Sequence, residues 1–417
     1  MNSTADTSAQ PFFGWRVVAG AFVVAVFGWG LGFYGPPVYL HAVREMRGWS
    51  VGLVSAAVTV HYLCGAIVVA NLPKLYKRLG LPAVTRAGSA LLALGLVGWA
   101  LAVEPWQLFA ATILTGCGWV TLGAAAINAM VSPWFVRQRP KALSTAYNGA
   151  SVGGIIFSPL WVWLIGWLGF AQAAALIGAV TIAIIVWLTA KVVGRTPADM
   201  GLQADGDASA GLPQSTPSSV ATVAGSALWA DWRFRTLAAG MALGLFAQIG
   251  LLAHLFSLIV PALGEGWAGI VAGLATASAI AGRTAFGWLM PPGADRRRWA
   301  ALSYGVQIIG IVLLVVSDLQ APAVILAGVL LFGFGIGNAT SLPPLIAQVE
   351  FGSEASRAVP LIVAIAQAAY AFAPGAFGLI REASPASVWP ILLVALAIKL
   401  CAIGAFVAGV RIRPRSN

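Results

Sequence analysis

The chain predicts an all-α polytopic membrane protein: twelve membrane-crossing helices in two six-helix bundles, with both termini cytoplasmic. Three observations carry that reading. Of the 417 residues, 59% are hydrophobic and 9% charged, whereas a soluble domain carries roughly a quarter charged residues. Apolar runs of about 20 residues, the length a helix needs to cross a bilayer, recur along the whole chain. The Lys and Arg residues collect on one side of those runs, the pattern that sets orientation in a membrane.

The runs cover 14–40, 50–71, 83–103, 106–132, 140–166 and 170–190, then 234–261, 267–290, 299–317, 321–348, 358–380 and 387–410. They divide the chain into a tail (1–13), an N-terminal bundle (14–190), a linker (191–231), a C-terminal bundle (232–410) and a second tail (411–417). The linker contains ADMGLQADGDASAGLPQSTPSS, whose Gly, Ser, Pro and Asp content cannot bury a core, so it is expected to be flexible. Arg16, Lys74, Lys77, Arg78, Arg86, Arg137, Arg139, Lys141, Lys191, Arg195, Arg233 and Arg235 fall on one side, with Arg296, Arg297, Arg298, Arg357, Arg411, Arg413 and Arg415. The other side keeps Arg44, Arg47 and Arg381. The positive-inside rule therefore makes the termini and linker cytoplasmic.

The halves repeat. One constant offset carries Trp15-Arg16 onto Trp232-Arg233, Gly65 onto Gly282, and Gly88 onto Gly305. It also lays Leu114, Gly116 and Gly118 on Leu331, Gly333 and Gly335, and the basic loop LPKLYKRLG on MPPGADRRR. Six spans repeated in one orientation imply two bundles related by an axis along the membrane normal. The net charge of +11 is spread in short clusters between apolar runs, which fits membrane orientation and gives no nucleic-acid face. Cys64, Cys117 and Cys401 lie inside apolar runs without ligand spacing and read as packing residues. No metal-ligand cluster, P-loop or nucleotide fingerprint is present, so no cofactor, ATP-driven step or enzymatic activity is expected. The N-terminus lacks the pattern of a cleavable signal peptide.

The chemistry centres on Trp267–Met290, an apolar segment whose single charge is Arg283. A cation there is costly and usually faces a protein interior or a water-filled cavity. A guanidinium offers planar paired donors that match a carboxylate. No Asp or Glu lies mid-span to neutralise it, so a site left positive when empty suits an anion. The plainer reading is that Arg283 snorkels to the headgroups. Tyr34, Asn128, Asn148, Asn338 and Tyr370 are further in-span polar residues able to shape a cavity, although amides and hydroxyls also serve as interhelical glue. His61 and His254 are the mid-span groups that titrate near neutrality and are the candidates for a coupling proton, His61 the preferred one. Lys399, on the last span, is expected to face a partner or to snorkel.

Twelve spans, a six-plus-six repeat and a central linker resemble the major facilitator superfamily over essentially the whole chain. Within it, WFVRQRPKALSTAYNGASVGGIIFSPL (Trp134 to Leu160), GWRVV from Gly14, GWS from Gly48 and GRTAFGWL from Gly282 are similar to the monocarboxylate porters and their oxalate/formate relatives. The resemblance implies a secondary active transporter working by alternating access, with Arg283 as the substrate-carboxylate contact. It also implies a cytoplasmic latch, placed here at Lys74, Lys77, Arg78, Arg137, Arg139, Arg296 and Arg297. Two positions depart from the family pattern: the loop NLPKLYKRLG lacks its acid, and Ala279 stands one turn before Arg283. The eleventh span offers Gln367 and Tyr370 in place of the second cation of dicarboxylate carriers, which favours a monocarboxylate. The expected partners are a small organic anion, a coupling proton and the lipid bilayer, in a monomer of a bacterial inner membrane. An exporter of amphipathic or aromatic compounds, suggested by 17 Trp, is the alternative. A non-transporting receptor or sensor is the third reading, disfavoured by a linker too short for an output domain.

Overall fold

The computed structural model describes residues 12–206, 226–291 and 293–410. Most of the N-terminal tail, the linker stretch 207–225, and the C-terminal tail with Arg411, Arg413 and Arg415 lie outside the described residues. Six helical stretches long and apolar enough to cross a bilayer make the first half: α1 Phe13–Arg47, α2 Val51–Leu79, α3 Leu81–Leu101, α4 Pro105–Trp134, α5 Arg139–Leu168 and α6 Phe170–Val193. The second half opens with one 58-residue stretch, Trp232–Leu289, about 87 Å if continuous and far longer than a bilayer is thick. Gly264 breaks it, with φ 74° and ψ 160°, a conformation that suits glycine. The break yields α7 (232–263) and α8 (265–289), as the composition predicted. The remaining spans are α9 Arg296–Val316, α10 Pro322–Phe351, α11 Arg357–Ala383 and α12 Trp389–Val410. Among the described residues there is no strand.

Caps fix several helix starts. Ser50 accepts from the Leu53 amide, Asp231 from Arg233, and Asp295 from Arg297, each satisfying a free N–H of the first turn. Trp106, Trp163, Trp167, Trp267 and Trp389 stand exposed at one end of the spans, with Trp187, Trp229, Trp232 and Trp288 at the other. These are the two aromatic belts expected at the faces of a bilayer. The ends are called the linker face and the far face below.

Proline breaks bend the spans that matter for the site. In α1 the helix stops at Gly32 and resumes at Pro36, since Pro36 and Pro37 offer no N–H to the preceding turn. The stranded carbonyls find other donors: Tyr39 Oη donates to Leu31 O (3.1 Å) and His61 Nε2 to Gly32 O (2.8 Å). α4 unwinds into a 3-10 turn at Val120–Leu122, and α11 breaks at Phe372, just before Pro374.

The two bundles meet along two seams, α2 against α11 and α5 against α8. Small residues let the backbones close: a Cβ at Gly154 would sit 2.7 Å from atoms of Tyr34 and Thr276, and Gly269 rests on Val162 and Pro159. Across the other seam the Gly375 amide donates to Thr59 Oγ1 (2.9 Å). His41 on α1 reaches Glu265 at the start of α8 (3.3 Å). These contacts lie in the far half of the spans, so the far face is shut. In the linker half, Asn128, Ser144, Thr145, Asn148 and Thr340 are exposed.

The linker is not wholly free. Thr189–Val193 continues α6 as a π-turn, and 3-10 turns follow at Ala198–Met200 and Ala204–Gly206. There the Asp205 carboxylate accepts from three consecutive backbone amides, Val136 (3.0 Å), Arg137 (2.7 Å) and Gln138 (3.2 Å). It thereby pins the loop between α4 and α5. Its desolvation opposes ionisation, but the three donors outweigh it and hold the carboxyl below the usual carboxylate range.

Candidate functional site

Arg283 turns inward. Its Nε is buried and has no hydrogen-bond partner, and among the described residues no carboxylate pairs with it. The guanidinium lies over the backbone of α10: a Cβ at Gly337 would be 3.1 Å from Nε and 3.2 Å from a terminal nitrogen. Only glycine leaves that space, and the close approach of α8 to α10 continues at Gly282 and Gly333, against Phe334 and Ala275. From the opposite bundle, the Tyr34 phenol is within electrostatic reach of the guanidinium. A snorkelling side chain would point toward the linker-face headgroups, without a buried nitrogen beside the other bundle.

Above Arg283, toward the far face, sits a layer of rings. Tyr62 of α2 and Tyr370 of α11 meet edge to face across the seam, with centroids 6.0 Å apart. Phe33 packs on both Tyr34 (5.0 Å) and Tyr62 (6.3 Å). Within this layer a small cavity of about 30 Å³ is lined by Phe33, Tyr34, Tyr62, Ser158, Phe256 and Thr276. That space holds roughly one water. The arrangement is a cation beneath an aromatic ceiling, with the path to the far face closed.

The structure brings Arg283 and Tyr34 together, sets Tyr370 against Tyr62 in the ring layer, and disperses the other polar residues. Asn128 donates to Tyr147 Oη (2.7 Å), which donates to Ala124 O (3.0 Å), so that amide faces the linker-side space from within the N-terminal bundle. Asn148 is exposed beside it on α5. Asn338 follows Gly337 on α10, is 2% exposed, and keeps an unpartnered Nδ2.

Both histidines are committed elsewhere. His61 spans Gly32 O and Thr115 Oγ1 (2.9 Å) and stacks on Trp119 at 5.7 Å. His254 sits near the far face, with Nε2 3.1 Å from Pro374 O and Nδ1 3.4 Å from Arg381. A carbonyl only accepts and a guanidinium only donates, so these partners select the neutral Nε2–H tautomer of His254.

With this geometry in view, comparison with known proteins is decisive. The chain matches the Major Facilitator Superfamily over residues 17–374. It belongs to that superfamily. Monocarboxylate transporter 11 of Mus musculus is 28% identical over 366 residues, covering 84% of this chain and 73% of the relative. MFS-type transporter 1 of Ophiocordyceps sp. is 25% identical over 347 residues, covering 81% and 72%. Among solved structures, the nucleoside transporter NupG superposes with a TM-score of 0.73 at 14% identity, covering 96% of this chain and all of the other. A bacterial homologue of the human lysosomal transporter Spinster gives 0.71 at 12%, covering 97% and 98%. The two structures share the fold. Membership makes the chain a multi-pass membrane transporter and not an enzyme.

In this superfamily member the basic residues at the linker face divide by role. Arg297 is 2% exposed and grips Glu350 through two hydrogen bonds (2.7 and 2.8 Å), with further bonds to Thr236 Oγ1 and Arg233 O. It clamps α9, α10 and α7 within one bundle. Arg296 bonds Leu345 O, and Arg139 bonds Phe135 O and Ser132 O, again within single bundles. Lys74, Lys77 and Arg78 are exposed at the end of α2, and Arg137 is engaged at the Asp205 loop.

Lys399 departs from its expectation of facing a partner or snorkelling. It is fully buried inside the C-terminal bundle, where Nζ donates to Gly244 O (2.8 Å) and lies 4.4 Å from the Tyr304 ring centroid. A carbonyl and a ring face serve the ammonium there. Sequence reasoning also missed Thr276 as part of the site. The signal was available, since Thr276 stands seven residues before Arg283 and so shares its helix face.

Proposed function

We propose that this transporter carries a small organic anion, most simply a monocarboxylate, by rocking its two bundles about a site built on Arg283. One observation carries the reading: a guanidinium turned inward, unpaired, beside the seam between bundles. A half-buried charge without a partner carries a desolvation cost, and an arriving carboxylate offsets it through two parallel hydrogen bonds. The single cation supports one carboxylate, and Tyr34, Tyr62 and Tyr370 enclose the remainder of the solute. Asn128 and Asn148 face the linker-side approach, while Asn338 is buried beside Gly337. The similarity to monocarboxylate transporter 11 points the same way.

The positive-inside pattern makes the linker face cytoplasmic, so the conformer described is shut toward the outside. This reading places the chain as a monomer in a bacterial inner membrane, with a proton as the coupling ion. The exporter alternative loses its main support, because the exposed tryptophans form belts at the bilayer faces.

Purified protein in proteoliposomes tests the role of Arg283. Arg283→Ala is expected to abolish counterflow of a labelled monocarboxylate while expression and melting temperature stay near wild type. Undiminished uptake by that variant would refute the assignment.

A further inference from the structure

On the outer surface of the seam between α5 and α8, at the far face, lies a second and larger hollow. It is a groove of about 690 Å³ whose walls include Val162, Trp163, Trp167, Glu265, Trp267 and Ile270. Both bundles contribute, α5 one side and α8 the other. The three indoles are 61%, 68% and 66% exposed, and Ile270 is 42% exposed, so this surface meets the bilayer. Trp163 and Trp167 stack at 5.4 Å with their planes 26° apart.

Glu265 is the one carboxylate in the wall of this groove. Its side chain is 55% exposed and makes a 3.3 Å contact to His41. Elsewhere on the far face the charges are mixed: Arg44 is followed by Glu45, and Arg381 by Glu382, which packs against Gly52 at the α2–α11 seam. Three aromatic faces around a lone carboxylate form a receptor for an organic ammonium: the rings attract a cation through their quadrupoles and the acid supplies the counter-charge. The depth matters as well, since indoles at the end of a span sit at headgroup level.

We propose that this groove binds the ammonium headgroup of a zwitterionic phospholipid in the far leaflet, with its acyl chains running down past Ile270. The lipid bridges α5 and α8 where they are closed, so its binding favours the far-shut conformer. This assignment depends on the membrane placement of the helices and is independent of the solute carried.

The test uses the full chain in nanodiscs. Replacing part of a phosphatidylglycerol bilayer with phosphatidylethanolamine is expected to raise the melting temperature by about 3 °C, as binding to the folded state does. Glu265→Gln should lose that increment. His41→Gln, which removes the same carboxylate's other contact but leaves the groove intact, should keep it. If Glu265→Gln does not fold, Trp267→Leu takes its place, and native mass spectrometry of the wild-type protein reads retained lipid directly. A wild type that gains nothing from phosphatidylethanolamine, or retains phosphatidylglycerol equally well, overturns the proposal. So does a Glu265→Gln variant with the full increment.

Discussion

At Arg283 the energetics turn on a missing partner. Arg297 has a carboxylate, a hydroxyl and a carbonyl, while half-buried Arg283 has a glycine backbone and the Tyr34 phenol within electrostatic reach. The first is structure, and the second is the cation on which the proposed anion site rests. Gly337→Ala sharpens the distinction. Its new Cβ would stand 2.5 Å from the Ala279 carbonyl oxygen and 3.1 Å from Arg283 Nε, forcing α8 off α10 and shifting the guanidinium with it. The expected result is a carboxylate affinity weakened by about tenfold, or ~1.4 kcal/mol, read by isothermal titration. His61 makes the opposite case. Its Nε2 supplies the donor that Pro36 cannot give to Gly32 O, so His61→Leu should cost ~1–3 kcal/mol of stability. The pH profile of uptake should not move; a shifted profile would return His61 to the proton path. The sequence made Arg283 legible because a lone charge in an apolar run needs a reason. It concealed the duty of His61, because a carbonyl freed by a proline 25 residues earlier leaves no trace in local pattern.

Among elements, the twelve spans were visible in composition, and even the 58-residue stretch divides where Gly264 and the polar GEG sequence place the turn. The offset repeat is less faithful in detail. The C-terminal bundle ties α9 to α10 through Arg297 and Glu350, with side chains 2% and 8% exposed. Among the described residues the N-terminal bundle has no such clamp at the matching loop; there Arg86 of α3 donates to the Thr189 hydroxyl of α6 (2.6 Å). Glu350→Ala strands a buried guanidinium and is expected to cost ~3–5 kcal/mol, seen as a markedly lower melting temperature. Thr189→Val removes a neutral partner and should cost ~1 kcal/mol. Matched losses would show that the two bundles are stabilised alike. A sequence repeat fixes span order and direction, but partners 53 residues apart, as in the Arg297–Glu350 pair, become apparent only when the helices are packed.

For the whole molecule, the decisive property is that one face is shut by small residues in two seams. The contact of Gly375 with Thr59 permits a direct trial of rocking. A Cβ at Gly375 would lie 3.7 Å from that of Thr59, within the usual disulfide separation of about 3.5–4.5 Å. A Thr59→Cys/Gly375→Cys pair, in a background lacking Cys64, Cys117 and Cys401, should stop transport when oxidised and regain it on reduction. Continued transport with the bond formed would mean that the far face need not open. The seams were out of reach of the sequence, since glycine is too common in this chain for any one to announce an approach. Finally, Asp205 fastens the start of the linker to the N-terminal half, so the two bundles can be expressed as separate polypeptides only if the cut respects that fastening. Division between 206 and 226 leaves the first fragment holding its own loop in place. Division before Asp205 hands the carboxylate to the wrong fragment, and the reassembled pair should then lose coherence, the more so as acid protonates whatever carboxylate still reaches its amides.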